Sequence, residues 1–127
     1  MGEGLRQNKG KEIEHILKNY RTYQVAIKNI ERELKSDHNG RDGGSICYED
    51  KVRYMCHEKE RYINIIESIE SSLDIMGESE KEFIKERYFE NYSIRKIAMN
   101  MNYSEKYIFS IRKRVLEKLE ISLVGVL

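Results

Sequence analysis

NYSIRKIAMNMNYSEKYIFSIRKRVLEKLE, residues 91–120, contains two short apolar-patterned segments on either side of a tight polar joint. Each segment begins after an Asn-Tyr-Ser triplet, and serine side chains satisfy the free amide groups at helix starts. The apolar positions at helical spacing are Ile94, Ile97, Ala98 and Met101, then Ile108, Ile111, Val115, Leu116 and Leu119. Because residues 100–103 are too short a link for helices packed along their lengths, the pattern predicts a helix-turn-helix.

The rest of the chain also predicts helices. It has 127 residues, of which 39% are hydrophobic and 35% charged, and it has no proline. Alternating strand patterns are missing, so we expect an all-α protein. The chain has no run of 18 apolar residues, so no membrane-spanning helix is predicted. The N-terminus has no apolar core typical of an export signal, and two cysteines then favour a reducing cytoplasm.

The first 77 residues carry two heptad stripes, which predict an antiparallel, coiled-coil-like helical hairpin with helices over about 12–36 and 49–76. The stripes are Ile13, Ile16, Tyr20, Tyr23, Ile27, Ile30, Leu34 and Val52, Met55, Lys59, Tyr62, Ile66, Ile69, Leu73, Met76. Residues 78–127 form the second predicted domain, with three helices and an apolar C-terminal tail. A capping box is expected at Ser79 and Glu82. Because two stripes make a thin core, self-association through the arm or the tail is a further expectation.

Positive charge is concentrated in the second domain. Residues 93–119 hold seven lysines and arginines against two glutamates, although the whole chain has a net charge of +1. A solvated helix face is the simplest alternative, but in a helix-turn-helix the second helix enters the major groove of DNA. The predicted base contacts are Glu105, Lys106, Phe109 and Ser110. The predicted contacts to the DNA backbone are Ser93, Arg95, Lys96, Arg112, Lys113 and Arg114.

The stretch RYFENYSIRKIAMNMNYSEKYIFSIRKRVLEKL, residues 87–119, resembles region 4 of sigma-70-type factors, which recognises the promoter −35 element. The resemblance implies a three-helix fold and base contacts just after the serine cap and one turn later, at the four positions above. Glu105 departs from the family, in which an arginine that reads guanine often stands there. A different operator, or a protein partner that supports weak DNA binding, is therefore expected.

A short chain with a coiled N-terminal part and this ending resembles phage late transcription activators of the ArpU/RinA type. That resemblance implies a phage or prophage regulator that binds double-stranded DNA and acts with host RNA polymerase. Two alternatives stay open. One is a DNA-packaging recognition subunit of the small-terminase kind, and the other is a polymerase-binding or sigma-binding adaptor that does not read DNA.

The residues that could act in catalysis or bind a metal do not form a recognisable catalytic or metal-binding motif. The spacing of Cys47, Cys56 and His57, with His38 nearby, does not match the paired Cys-x2-Cys units of structural zinc sites. Catalytic triads and phosphate-binding glycine loops are also missing from the pattern. We therefore expect neither an enzyme nor a bound cofactor or metal.

Overall fold

The computed structural model describes residues 2–36 and 46–127, with side chains from residue 9 in the first range and residue 48 in the second. All regular secondary structure in the described residues is helical, which confirms the predicted all-α class. The helices are α1 (Gly2–Lys18), α2 (Tyr20–Ser36), α3 (Ile46–Leu73), α4 (Glu78–Ile84), a π-helical turn (Lys85–Phe89), α5 (Ile94–Met101) and α6 (Glu105–Ser122). Within this part of the chain, none of the helices has the length and apolar character that crossing a bilayer requires.

The first predicted helix, over about 12–36, is interrupted at Asn19 and is therefore two helices. The Asn19 side-chain amide donates to the His15 carbonyl oxygen at 2.8 Å, and the Asn19 backbone amide bonds to the same oxygen at 3.2 Å. Asparagine side chains compete in this way for helix carbonyls. As a result α1 packs against α6 and the π-helical turn, while α2 packs against α3.

Helices α2 and α3 run antiparallel, because the start of α2 contacts the end of α3. The Tyr20 hydroxyl donates to Glu70 at 2.7 Å, and the Tyr23 and Tyr62 rings stack at 5.3 Å. Nearer the other end, Lys59 pairs with Glu31 at 3.2 Å. The lysine within the second stripe therefore places its charge at the edge of the helix pair, where it meets a carboxylate.

The start of α4 differs from the expected capping box at Ser79 and Glu82. Helix α3 ends at Leu73, and Gly77 is the N-cap of α4. The Glu80 carboxylate, three residues on, accepts a hydrogen bond from the Gly77 amide at 2.8 Å. The helix therefore starts two residues earlier than the Ser79 pattern predicts.

One hydrophobic cluster contains residues from both predicted domains. Its buried members come from α1 through to the residues that follow α6: Ile13, Ile16, Leu17, Ile65, Ile69, Met76, Phe83, Ile84, Tyr88, Ile97, Ala98, Ile108, Ile111, Val115, Leu119 and Leu123. Helix α1 and the end of α3 thus cover the apolar side of α4–α6. The division into 1–77 and 78–127 stays a prediction, and the core extends across that boundary.

Candidate nucleic-acid interface

Helix α5 is anchored to the π-helical turn on two sides. The Arg87 guanidinium donates to the Tyr92 carbonyl at 2.9 Å, and the Tyr92 amide donates to the Glu86 carbonyl at 2.8 Å. At the far end of α5, the Asn100 amide donates to the Glu86 carboxylate at 2.7 Å. Burial raises the pKa of Glu86, and the nearby Glu82 carboxylate raises it further, whereas the bond from Asn100 opposes the shift.

Both α5 and α6 begin at a serine cap, and one left-handed residue ends α5 at the joint between them. The Ser93 hydroxyl accepts from the Lys96 amide and the Ser104 hydroxyl from the Tyr107 amide, each at 3.1 Å. Asn102 ends α5 at φ 64° and ψ 39°, a conformation that asparagine tolerates better than most residues. Both predicted serine caps, Ser93 and Ser104, are present. Three residues separate α5 from α6.

Helix α6 is fixed to α1 by a partly buried ion pair. The Arg112 guanidinium donates two hydrogen bonds to the Glu14 carboxylate, at 2.9 and 3.1 Å, and the Tyr88 hydroxyl donates a third at 2.7 Å. Burial opposes ionisation of Glu14, but the bonds from Arg112 and Tyr88 outweigh it and lower the pKa of this carboxyl. Burial raises the pKa of Tyr88, and the bond to the same carboxylate raises it further.

On its other flank, α6 is fixed to α4 through Glu80. This buried carboxylate accepts from Lys118 at 2.7 Å and lies 3.6 Å from the Arg114 guanidinium. Burial would raise the pKa of Glu80, but the bonds from Lys118 and the Gly77 amide lower it overall. Two carboxylates from outside the predicted DNA-binding helices therefore determine how α6 is held.

The four predicted base-contacting residues are all exposed on the first two turns of α6. Phe109 has 52% of its surface accessible, and the Ser110 hydroxyl donates to the Tyr107 carbonyl at 2.8 Å. Lys106, Ser110 and Lys113 follow one another at four and three residues, which places them along one side of the helix. That side is opposite the buried Ile108, Ile111 and Val115. The structure thus brings Lys106 and Ser110 together with the predicted backbone contact Lys113.

The predicted backbone contacts fall into two groups. Arg95, Lys96 and Lys113 are exposed, with the Lys96 ammonium 3.9 Å from the centre of the Tyr92 ring. Arg112 and Arg114 instead face the carboxylates of Glu14 and Glu80. Two of the five N–H donors of Arg112 are used on Glu14, so this side chain is less free to contact a phosphate than Lys113. Ser93 uses its hydroxyl oxygen in the α5 cap.

These ion pairs reduce the local positive charge. The seven cations of residues 93–119 face two glutamates in that segment, and Glu14 and Glu80 supply two more carboxylates to the same cations. The charge excess of this region therefore falls from five to three. Within the described residues, Lys106 and Lys113 are the two cations of α6 that have no ion-pair partner.

Several exposed apolar and aromatic residues around the joint were not among the predicted contacts. Met99 on α5 is 72% exposed, and the exposed Tyr103 and Tyr107 rings pack together at 4.5 Å between centroids. The Arg114 guanidinium lies 5.9 Å from the Tyr107 ring. The repeated Asn-Tyr-Ser triplet is a sequence signal for Tyr103, because the tyrosine precedes the capping serine in both copies.

The cysteine and histidine residues give no metal-binding cluster in the described part of the chain. Cys56 is exposed with a free thiol, and the side chains of Cys47 and His38 lie outside the described residues. Comparisons of the chain with protein-family models, with curated proteins and with solved structures gave no significant match.

Proposed function

We propose that this protein is a sequence-specific, DNA-binding transcription regulator that uses α5 and α6 as a helix-turn-helix, in the manner of a sigma region 4. In this proposal it acts in the cytoplasm as a phage or prophage activator together with host RNA polymerase. It works by binding and not by catalysis. Helix α6 enters the major groove, and α5 lies over the DNA backbone.

One observation carries the proposal: the outward line of α6 formed by Lys106, Ser110 and Lys113. These side chains begin within the first turn after the Ser104 cap, where a recognition helix contacts bases. Both lysines lack an ion-pair partner in the described residues, while the three cations on the flanks of α6 are paired with two carboxylates. A solvated surface helix does not need such a separation of paired and unpaired cations.

Each residue on this line has a chemistry that suits the DNA groove. A lysine donates to the O6 and N7 atoms of guanine, and a serine hydroxyl contacts several base edges. Phe109 can contact a thymine methyl group, and Glu105 can accept from cytosine N4. Arg95, Lys96 and Lys113 would neutralise phosphates and set the register of the helix on the duplex.

The rigid attachment of α6 also supports a reading role. Glu14 and Glu80 hold the helix from two sides, so its exposed line keeps one orientation relative to α1 and α4. Base contacts need such positional accuracy, and rigid elements provide it better than loops. In this proposal, Arg112, Arg114 and Lys118 therefore support the interface by attaching α6 to α1 and α4.

The test is a selection from random duplex DNA, followed by affinity measurements on the winning sequence at several salt concentrations. The three proposed phosphate contacts, Arg95, Lys96 and Lys113, predict a slope of log K against log salt of about −2.7, since each contributes about −0.9. An enriched motif with a slope of this kind supports the proposal. No enrichment and no salt dependence would contradict it.

Matched charge variants keep the assay specific. Lys106→Glu should remove binding, whereas Lys28→Glu, on the exposed surface of α2, makes the same charge change far from α6 and should bind normally. Retained binding to RNA polymerase without DNA affinity would instead favour the adaptor alternative. Ring-sized assemblies on DNA would favour the packaging subunit.

A further inference from the structure

A second line of side chains on α6 lies beside the DNA-facing one and is not explained by the core. Phe109, Lys113, Leu116 and Glu120 follow at steps of four, three and four residues, the spacing of a helix-packing seam. Lys113, Leu116 and Glu120 line a groove of about 710 Å³ between α6 and the Lys9–Ile13 part of α1. Val124, beyond the end of α6, lines the same groove and is 71% exposed.

Two side chains on this line, Lys113 and Glu120, are charged. Lys113 and Glu120 form no ion pair in the described residues, unlike Arg112, Arg114 and Lys118 on the same helix. They cannot pair with each other, because seven residues separate them by about 10 Å along the helix axis. Read from its N-terminal end, the line is therefore apolar, positive, apolar, negative and apolar.

This order is complementary to itself when reversed. In an antiparallel pair of α6 helices related by a two-fold axis beside Leu116, Lys113 lies opposite Glu120 of the partner subunit. Phe109 then lies opposite Val124 of the partner subunit, and the two Leu116 side chains meet near the axis. A two-fold interface requires such self-complementarity, since the same surface patch occurs on both copies.

The groove floor suits a second helix. It contains the buried Ile13 and the partly buried Leu116, and Gly10 on its α1 side has no neighbouring atom within 4 Å of the position a Cβ would take. Close approach of another helix is easiest where a glycine removes the side chain. We propose that this face is a self-association surface, and that its occupant is α6 of a second copy of the chain.

Self-association on this face has a consequence that rests on the proposed function. Phe109 and Lys113 belong to both surfaces, so a duplex and a second copy would compete for them. The associated form would then be unable to bind DNA, and dilution or the operator itself would release the active monomer. The self-association does not depend on that consequence and is tested without DNA.

A charge-exchange experiment on the full chain tests the proposal by sedimentation velocity over a range of protein concentrations. Lys113→Glu and Glu120→Lys each place like charges opposite one another, so each variant should associate at least tenfold more weakly than wild type. An equimolar mixture of the two variants should associate again, as a heterodimer, because every facing pair then has opposite signs. The double variant Lys113→Glu with Glu120→Lys should restore the homodimer for the same reason.

Lys28→Glu on α2 is the control for a change of net charge and should associate as wild type does. All three exchanged forms should give wild-type helical circular dichroism, because Lys113 is exposed and Glu120 is only partly buried. A wild-type protein that stays monomeric at high concentration would overturn the proposal. Association that survives both single variants would also overturn it, because the contact would then lie elsewhere on the molecule.

Discussion

The Glu14 carboxylate on α1 accepts two hydrogen bonds from the Arg112 guanidinium on α6, although 98 positions separate the two residues in the chain. The Tyr88 hydroxyl completes the group, so three helical elements meet at one carboxylate. A charged group with three hydrogen bonds in a partly buried place stabilises the contact between its elements. Helix α1 is therefore part of what orients α6.

Glu14→Gln should lower the free energy of unfolding at pH 7 by roughly 1–3 kcal/mol, because a charge-assisted pair becomes a neutral one. The pKa of Glu14 is lowered in the folded protein, so its contribution is present above the ordinary value of 4.5 and is lost as pH falls through the lowered value. Urea denaturation at pH 7 and pH 3 measures both effects. The gap between variant and wild type should shrink at pH 3, and Glu67→Gln, on an exposed part of α3, should change little at either pH.

Glu86→Gln should have the opposite pH dependence. The pKa of buried Glu86 is raised, so its contribution to stability is present below 4.5 and is lost as pH rises through the raised value. Glutamine keeps an oxygen that can accept from Asn100 and does not ionise. The stability of the variant relative to wild type should therefore increase between pH 4.5 and pH 7, as measured by urea midpoints. A difference that stays constant over this range would show that Glu86 does not titrate as its burial implies.

Ile13→Ala should destabilise the whole protein by about 2–5 kcal/mol, because Ile13 is 1% exposed in the common core. Thermal unfolding followed at 222 nm checks this value. Val25→Ala, on the exposed side of α2, removes a similar aliphatic side chain and should change stability by about 0.5 kcal/mol or less. Equal effects of the two substitutions would mean that α1 does not contribute to the core as the structure describes.

The left-handed residue at the joint gives a separate prediction. Asn102→Ala should cost roughly 1–2 kcal/mol, since a Cβ-bearing residue without a local side-chain hydrogen bond is strained at φ 64°. Asn102→Gly should be close to neutral, because glycine adopts positive φ without strain. Chemical denaturation of both variants makes the comparison. An alanine variant as stable as the glycine variant would exclude the left-handed conformation at this position.

Two single substitutions can distinguish the proposed contacts to bases from the proposed contacts to phosphates. Lys106→Ala should change the preferred sequence in a binding selection, because it removes a donor to guanine. Arg95→Ala should weaken binding to every sequence by a similar factor and reduce the salt slope by about one unit. If Lys106→Ala weakens all sequences equally, its ammonium contacts only phosphates.

Local pattern predicted a large part of this protein. The helical period identified the buried positions of α5 and α6, and Ile97, Ala98, Ile108, Ile111, Val115 and Leu119 are indeed buried. The caps at Ser93 and Ser104 were also predictable, because a cap depends on residues only three positions apart. The same local reasoning placed the α4 start at Ser79, where the Glu80 bond to Gly77 moves it earlier.

The partners of the basic residues were decided only by tertiary structure. From the sequence, Arg112, Arg114 and Lys106 are all predicted DNA contacts, and nothing in their spacing shows which of them has a carboxylate partner. In the fold, Glu14 pairs with Arg112 and Glu80 lies beside Arg114, while Lys106 has no ion-pair partner among the described residues. Helical period and caps arise from contacts within about four residues, and the sequence determines them directly. Ion pairs between distant residues arise only when packing brings α1 and α4 against α6, so the exposed charge of the candidate interface follows from the tertiary structure.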